Sequence, residues 1–253
     1  MPTLVRAPGR GGQDQETLME ERMAQLEDDR ARDRTVGQPD VPGAAPAGPT
    51  ADTQTDADTD AHAEARDRIT HGLLYNESDA GFLQGGRRAG LLHEYNQTAP
   101  AEAELRADLL GRILGSIGKR SFIAPVFQAA YGSNVHIGDD FYGNFNLSLI
   151  DDVEIRIGNG VMIAPNTTIT TTGHPVHPEL RVDYNRFSEP VAIGDKVWIG
   201  SNVVVLPGVT IGYGSVIGAG SVVTHDIPPM VVAFGAPCRI VRPITDADLT
   251  QRQ

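Results

Sequence analysis

Small aliphatic residues recur at every sixth position along the C-terminal half of the chain. The clearest run is Ile193, Ile199, Val205, Ile211, Ile217 and Val223, with glycine directly after four of them. The same spacing appears upstream at Ile137, Leu149 and Ile155, and then, after a two-residue insertion, at Ile157, Ile163 and Ile169. A helix repeats its apolar face about every 3.6 residues and a strand every two, so neither element alone produces this pattern.

A period of six is typical of a coil with three flat faces, in which each hexad supplies one face and one inward aliphatic side chain. Glycine or a small polar residue then allows the chain to turn at each corner. Three hexads make a turn of about 18 residues, and successive turns stack as parallel strands about 4.8 Å apart. The pattern predicts a mainly β fold, a parallel β-helix of five or more coils from about Ile117 to Val232.

A helical pattern precedes the hexads. Four aliphatic residues recur every four positions, on one face of a helix predicted over residues 101–117: Leu105, Leu109, Ile113 and Ile117. Thr98 is placed to cap the start of this helix. We therefore predict a helical cap over residues 66–116, followed by a β-helix domain over residues 117–245.

The first quarter of the chain has a different composition. Residues 1–65 contain 14 Asp and Glu against 6 Arg, a net charge of −8 out of −12 for the whole chain. Between Val36 and Asp60 the residues are mainly Pro, Ala, Gly, Thr and Asp, which cannot bury enough apolar surface to offset the entropy of ordering. We expect residues 1–65 to be a disordered acidic extension and linker.

Charge and composition also exclude several classes of function. An acidic chain without a stripe of Lys and Arg is a poor ligand for nucleic acid or for an anionic membrane surface. No run of ~18 apolar residues is present, and Met1 to Arg10 lack the apolar core of a signal peptide, which predicts a cytoplasmic protein. The single cysteine, Cys238, excludes an intramolecular disulfide and a multi-cysteine metal site.

The hexad register is interrupted once, between Ile169 and Val191. The interruption is an insertion of about 18 residues, 173–190, which contains two histidines, His174 and His177. Long loops inside a regular solenoid are more often functional than accidental. We therefore expect this extended loop to carry part of a functional site.

Over residues 66–245 the chain resembles the maltose and galactoside O-acetyltransferase family of hexapeptide-repeat acyltransferases. The resemblance rests on LLYN at 73–76, HEYN at 93–96, NFNLSLIDD at 144–152, IAPNTTITTTGHPVHPELR at 163–181, VWIGS and the hexads that follow from Val197, and GAPCRIVR at 235–242. It implies a left-handed parallel β-helix and a homotrimer with three active sites at the subunit boundaries. It also implies acetyl-CoA as co-substrate, a sugar or related small molecule as acceptor, and no metal.

Acyl transfer from a thioester to a hydroxyl needs a base, because an alcohol is a poor nucleophile at neutral pH. The resemblance assigns this role to His174, which takes the acceptor's proton and returns it to the departing thiolate. It assigns to Asn144 a hydrogen bond with the acceptor or intermediate, and to Asp152 the binding of the acceptor. Asn76 stands where relatives carry Asp, and Ala130 where galactoside enzymes carry Ser, so both are candidate determinants of a different acceptor.

The resemblance also assigns seven residues to the cofactor: Trp198, Ser201, Ala219, Thr224, His225, Arg239 and Arg242. Guanidinium groups bind phosphates through paired hydrogen bonds, so the two arginines suit the phosphates of coenzyme A. His225 stands where relatives commonly place Lys, which weakens the contact with a phosphate at neutral pH.

Two other classes of function remain open at this stage. The same solenoid builds trimeric zinc enzymes of the γ-carbonic anhydrase type, for which this chain offers His136, His174 and His177 as ligands. A non-catalytic β-helix scaffold is the third possibility.

Overall fold

The computed structural model describes residues 67–76, 85–181 and 184–250, with the backbone alone described at 85–87. The predicted acidic extension over residues 1–65 lies outside these residues. Residues 67–70 are helical, and two further helices follow, α1 at Gly85–Asn96 and α2 at Ala103–Ile113. Short 3-10 helices occupy Pro178–Leu180 and Asp246–Leu249.

The strands of the described residues are short and follow one another with little between them. In chain order they are β1 Ser116–Ile117, β2 Phe122–Ile123, β3 Phe127–Ala129, β4 Val135–Ile137, β5 Tyr142–Gly143, β6 Leu147–Ile150, β7 Ile155–Ile157, β8 Met162–Ile163, β9 Thr168–Thr170, β10 Thr172–Gly173, β11 Phe187–Ser188, β12 Val191–Ile193, β13 Trp198–Ile199, β14 Val204–Val205, β15 Thr210–Ile211, β16 Val216–Ile217, β17 Val222–Val223, β18 Val231–Phe234 and β19 Arg239–Pro243.

These strands form a three-sided prism. Face 1 has the strand order β1-β4-β7-β12-β15, face 2 the order β2-β5-β8-β13-β16-β18-β19, and face 3 the order β3-β6-β9-β14-β17. The pairing within each face is parallel, except that β19 is antiparallel to β18. The chain visits faces 1, 2 and 3 in turn, and we name the edges between them the 1–2, 2–3 and 3–1 edges. The predicted parallel β-helix of hexapeptide repeats, with helices before it, is confirmed.

The hexad aliphatics fill the interior of the prism. Each member of the C-terminal run is at most 3% exposed, and Ile163, Ile169 and Leu149 are equally buried upstream. Their neighbours along each strand point outward, as the alternation of a strand requires. The predicted inward position of the hexad residue is therefore correct on all three faces.

Coil length differs between the two halves of the prism. In the C-terminal half Ile193 pairs with Ile211, so one coil has the predicted 18 residues. In the N-terminal half Ile117 pairs with Ile137, and Ile137 with Ile157, so each coil has 20. The two extra residues lie at the 3–1 edge, where the chain returns from face 3 to face 1. The predicted turn of 18 residues is therefore wrong for the coils of the N-terminal half.

The glycines after the hexad aliphatics were predicted to let the chain turn at the corners, but they are needed for a different reason. A Cβ atom on Gly194 would lie 2.7 Å from the backbone nitrogen of Tyr213, and one on Gly212 would lie 2.4 Å from that of Pro229. These glycines permit close stacking of successive coils. Left-handed backbone at the corners is adopted by several residues that are not glycine: Arg120, Asp140, Asn146, Asn166, Lys196, Asn202 and Met230.

The two helices cover the first coil of the prism. Helix α1 supplies Asn96, whose amide donates to the carbonyl of Phe127 at 2.8 Å and accepts from its N–H at 3.0 Å, as a neighbouring strand would. Helix α2 ends at Ile113, so Ile117 of the predicted helix belongs instead to β1. Thr98 does not cap α2, because the residue directly before this helix is Glu102, and the Thr98 hydroxyl donates to the carbonyl of Tyr95 instead. None of the helices in the described ranges is long and apolar enough to cross a membrane.

Candidate active site

The 3–1 edge is lengthened in three consecutive coils. Residues 130–134 and 150–154 form the two longer corners, and the extended loop 173–190 follows them on the same edge, because β3, β6 and β9 stack on face 3. Three of the predicted catalytic and acceptor-binding residues lie on this edge: Ala130, Asp152 and His174. The fold thus brings together residues that the sequence places in three separate blocks.

The extended loop leaves the prism through a short antiparallel ladder. Strand β10 pairs with β11, with Thr172 opposite Ser188 and Gly173 opposite Phe187. The Thr172 hydroxyl adds a hydrogen bond of 3.0 Å to the carbonyl of Phe187. A Cβ atom on Gly173 would lie 2.7 Å from the ring of Phe187, so any other residue immediately before His174 would have to displace that ring.

A hydrogen bond joins His174 to the opposite side of this loop. Its Nδ1 atom lies 2.8 Å from the carbonyl oxygen of Asn185. A carbonyl oxygen only accepts, so Nδ1 carries the proton, and in the neutral ring Nε2 has the lone pair. The side chain is exposed in the isolated chain. In this tautomer Nε2 is the ring nitrogen that can accept a proton.

A buried polar network lies beside His174. Asp152 accepts a hydrogen bond of 2.7 Å from Arg186 Nη1, and the two side chains are 3% and 14% exposed. Tyr75, which is 2% exposed, has its hydroxyl 2.6 Å from Ser188 Oγ and 3.4 Å from Asp152 Oδ2. The predicted acceptor carboxylate therefore also holds the base of the loop.

Tyr75, Arg186 and Ser188 are functional candidates that sequence reasoning missed. Backbone hydrogen bonds of 3.0 Å join Tyr75 and Arg186 in both directions, so the segment before α1 pairs with the loop. The next residue, Asn76, is half-buried beside this pairing. The only signal in the sequence was the position of Tyr75 in the LLYN block, directly before the predicted site residue Asn76.

Asn144 lies on another edge of the prism. It follows β5 on face 2 and precedes β6 on face 3, which places it on the 2–3 edge, and its Oδ1 atom accepts the N–H of Phe145 at 2.8 Å. The oxygen faces this backbone N–H, and the Nδ2 group is the part of the amide that can donate to a ligand. Within one chain the fold does not bring Asn144 and His174 to the same edge.

The predicted cofactor residues are divided in the same way. Ser201 and Ala219 follow the face 2 strands β13 and β16 on the 2–3 edge, whereas Thr224 and His225 follow the face 3 strand β17 on the 3–1 edge. The hydroxyl of Thr224 is 2.8 Å from Nδ1 of His225. Trp198 stands on face 2 itself and is 44% exposed.

The two predicted phosphate-binding arginines differ in their surroundings. Arg242 forms an ion pair of 2.9 Å with Asp248, and this hydrogen-bonded contact raises the pKa of Arg242 and lowers that of Asp248. The guanidinium of Arg239 is exposed and has a contact of 2.8 Å from Nη1 to the carbonyl of Cys238. Among the described residues, Arg239 is therefore the arginine with less charge compensation.

The three candidate zinc histidines have separate partners. His136 lies 3.0 Å from Ser116 Oγ and 3.8 Å from Glu154, on face 1, while Nδ1 of His177 accepts the N–H of Glu179 at the start of a 3-10 helix. Among the residues that the structure describes, no group of three or more His, Cys, Asp or Glu is arranged to hold a metal ion.

Comparison with known proteins adds independent evidence. A model described as the maltose acetyltransferase hexapeptide capping motif matches residues 68–118, and one described as bacterial transferase hexapeptide (six repeats) matches residues 190–225. A galactoside O-acetyltransferase of Escherichia coli (strain K12) is 49% identical over 183 residues, which are 72% of this chain and 90% of that protein.

Solved structures give the same result. A galactoside acetyltransferase in complex with coenzyme A has a TM-score of 0.72 and 48% identity, covering 73% of this chain and 93% of its own. A maltose O-acetyltransferase from Clostridium difficile 630 has a TM-score of 0.69 and 39% identity. The match covers 72% of this chain and 98% of that protein. Fold and likeness together define an acyltransferase built on hexapeptide repeats. The chain belongs to the maltose and galactoside O-acetyltransferase family.

Proposed function

We propose that this protein transfers the acetyl group of acetyl-CoA to a hydroxyl of a sugar or a related acceptor in the cytoplasm, with His174 as the general base. The observation that carries the proposal is the hydrogen bond from His174 Nδ1 to the carbonyl of Asn185. It sets the tautomer in which Nε2 accepts a proton at the open side of the ring.

The reaction uses this geometry in two steps. The acceptor oxygen attacks the thioester carbon while its proton passes to Nε2, which gives a tetrahedral oxyanion. The Nδ2 group of Asn144 is suited to donate to this oxyanion, because the Oδ1 atom is held by Phe145. Collapse breaks the carbon–sulfur bond, and the proton on Nε2 passes to the departing thiolate. The products are coenzyme A and an acetyl ester.

The division of the site between two edges supports a homotrimer with sites between subunits. His174 lies on the 3–1 edge and Asn144 on the 2–3 edge, so the two groups act on one substrate only when a neighbouring subunit supplies one of them. The predicted cofactor residues are divided between the same two edges, with Ser201 on the 2–3 edge and Thr224 on the 3–1 edge.

An apolar stripe on face 2 supports the same assembly. Four outward side chains stack in register on consecutive coils and are 37 to 51% exposed in the isolated chain: Phe122, Tyr142, Met162 and Trp198. A contiguous exposed apolar surface of this kind is typical of a protein interface. Light scattering on the purified protein measures the assembly, and a monomeric species would contradict it.

The acceptor is recognised next to His174 on the 3–1 edge. Asp152 with its partner Arg186, the half-buried Asn76 and the exposed Ala130 are the polar and small residues that this edge presents. By the resemblance, Asn76 replaces an Asp that relatives usually carry, and Ala130 replaces a Ser of galactoside enzymes. We therefore propose an acceptor that differs from a simple galactoside in the hydroxyls presented to these two positions.

The test is incubation of the protein with acetyl-CoA and a panel of acceptors that includes a galactoside, maltose and glucose. Release of the coenzyme A thiol is followed together with mass spectrometric detection of the acetyl ester. We expect both signals to depend on the acceptor. Thiol release that is independent of every hydroxyl acceptor, without any ester, would contradict the proposal.

A further inference from the structure

One peptide unit connects the segment before α1 with the proposed general base. In the peptide between Asn185 and Arg186, the carbonyl accepts from His174 Nδ1 at 2.8 Å, and the N–H donates to the carbonyl of Tyr75 at 3.0 Å. The N–H of Tyr75 in turn donates to the carbonyl of Arg186 at 3.0 Å. Both polar groups of this one peptide are thus engaged, on opposite sides.

A peptide unit is planar, so its N–H and C=O directions cannot be changed independently. The bond to Tyr75 therefore fixes the direction in which the Asn185 carbonyl points, and this direction fixes the ring of His174. Hydrogen bonds arranged in a chain also polarise one another, which makes the carbonyl a better acceptor for Nδ1. The orientation of His174 depends on where Tyr75 is held.

Tyr75 is held by its side chain. Its hydroxyl lies 2.6 Å from Ser188 Oγ and 3.4 Å from Asp152 Oδ2, and Arg186 Nη1 reaches the same Asp152 oxygen at 2.7 Å. Burial raises the pKa of Tyr75 to about 12, so the hydroxyl stays protonated at neutral pH. These contacts join the coil, the returning strand of the loop base and the segment before α1.

We propose that Tyr75 is a positioning residue for His174, acting through the Asn185–Arg186 peptide. The inference rests on the proposed role of His174 as the base. It makes the segment before α1 part of the catalytic apparatus, since the tautomer and the direction of the imidazole depend on it. Tyr75 contributes to the rate of acetyl transfer without touching either substrate.

The test uses Tyr75→Phe, which removes the hydroxyl and keeps the ring. Because a misplacement of about 1 Å can cost ~100-fold in rate, we expect kcat to fall roughly 10-fold, with the KM for acetyl-CoA unchanged. Tyr95→Phe is the matched control: Tyr95 is 0% exposed, its hydroxyl also donates within the fold, to the carbonyl of Ile123, and it lies in α1. This control is expected to lose stability and to keep kcat.

The second readout is the side-chain 15N spectrum of histidine-labelled protein, with His174 assigned by His174→Gln. In the wild type we expect a protonated Nδ1 and an unprotonated Nε2 in the neutral ring. Tyr75→Phe is expected to move both signals toward the average of the two tautomers, and Tyr95→Phe to leave them in place. This readout needs no turnover, so it tests Tyr75 even if the proposed reaction is wrong.

Ser188→Ala removes the side-chain hydroxyl that lies 2.6 Å from the hydroxyl of Tyr75. This variant replaces Tyr75→Phe in the test if Tyr75→Phe does not fold. It is expected to lower kcat and shift the His174 signals in the same direction as Tyr75→Phe. The inference is wrong if the folded variant keeps the wild-type kcat and His174 signals and only unfolds at a lower temperature, as Tyr95→Phe is expected to do.

Discussion

The Nδ1 atom of His174 and the carbonyl oxygen of Asn185 lie 2.8 Å apart across the base of the extended loop. This contact decides which nitrogen of the imidazole is available as a base. The pairing of Gly173 with Phe187 brings the two ends of the loop together next to this contact.

The amide of Asn144 is expected to act as a donor. Asn144→Asp keeps an oxygen for the N–H of Phe145 but removes the Nδ2 donor, so kcat should fall by ~100-fold or more, as for loss of an oxyanion donor. Asn159→Asp is the control, because Asn159 Oδ1 also accepts a backbone N–H, that of Asp139 on the 1–2 edge. Steady-state kinetics with acetyl-CoA and an acceptor measure both. Equal rates in the two variants would exclude the role of Asn144.

Arg239 is expected to contribute more to cofactor binding than Arg242. Asp248 already compensates the charge of Arg242, so Arg239→Ala should raise the KM for acetyl-CoA roughly 10-fold, the scale of one charged hydrogen bond, and Arg242→Ala clearly less. The effect of Arg239→Ala should weaken in high salt. A larger effect of Arg242→Ala would show that its ion pair with Asp248 opens to receive a phosphate.

Much of the fold follows from the period of six, because a side chain that repeats once per face can only fill the axis of a prism. The 20-residue length of the N-terminal coils could not be predicted from this period, because the two extra residues lie at corners and leave the inward positions unchanged. The motif alone located His174, whereas Tyr75 and Ser188, which bond to each other at the base of its loop, are 113 residues apart and no periodicity relates them. The separation of His174 and Asn144 depends on which face each block follows, and this requires the register of every coil.

Alkaline pH is expected to destabilise the protein through two buried tyrosines. Burial raises the pKa of Tyr75 and of Tyr95 from 10.0 to about 12, so the phenolate forms more readily in the unfolded chain. Below pH 10 each tyrosine makes its full contribution to the free energy of unfolding. This contribution is lost as the pH rises through 12, and the loss is up to about 3 kcal/mol for each tyrosine.

Urea unfolding at a series of pH values measures this loss. Tyr75→Phe should reduce the fall in unfolding free energy between pH 10 and 12, while Tyr213→Phe, at a side chain that is 47% exposed, should not. If wild type and Tyr75→Phe lose the same free energy over this range, the hydroxyl of Tyr75 does not titrate as described.

Removal of the acidic extension is expected to leave the enzyme active. A chain that begins at Arg66 loses residues with a net charge of −8 but keeps every predicted site residue, so turnover and assembly should match those of the full chain. A chain that begins at Asp79 also loses Tyr75 and Asn76 and should be strongly impaired. Thiol release and light scattering measure both. Loss of assembly in the chain from Arg66 would assign a structural role to the extension.

The most direct test of the account compares two histidines of the same loop. His174→Gln removes the proposed base, and His177→Gln changes an exposed histidine whose Nδ1 accepts a backbone N–H from Glu179. Acceptor-dependent thiol release from acetyl-CoA is measured for both variants. We predict that His174→Gln loses at least ~100-fold in kcat while keeping its assembly, and that His177→Gln retains the wild-type rate. Undiminished turnover by His174→Gln, or an equal loss in both variants, would contradict the role of His174 as the general base.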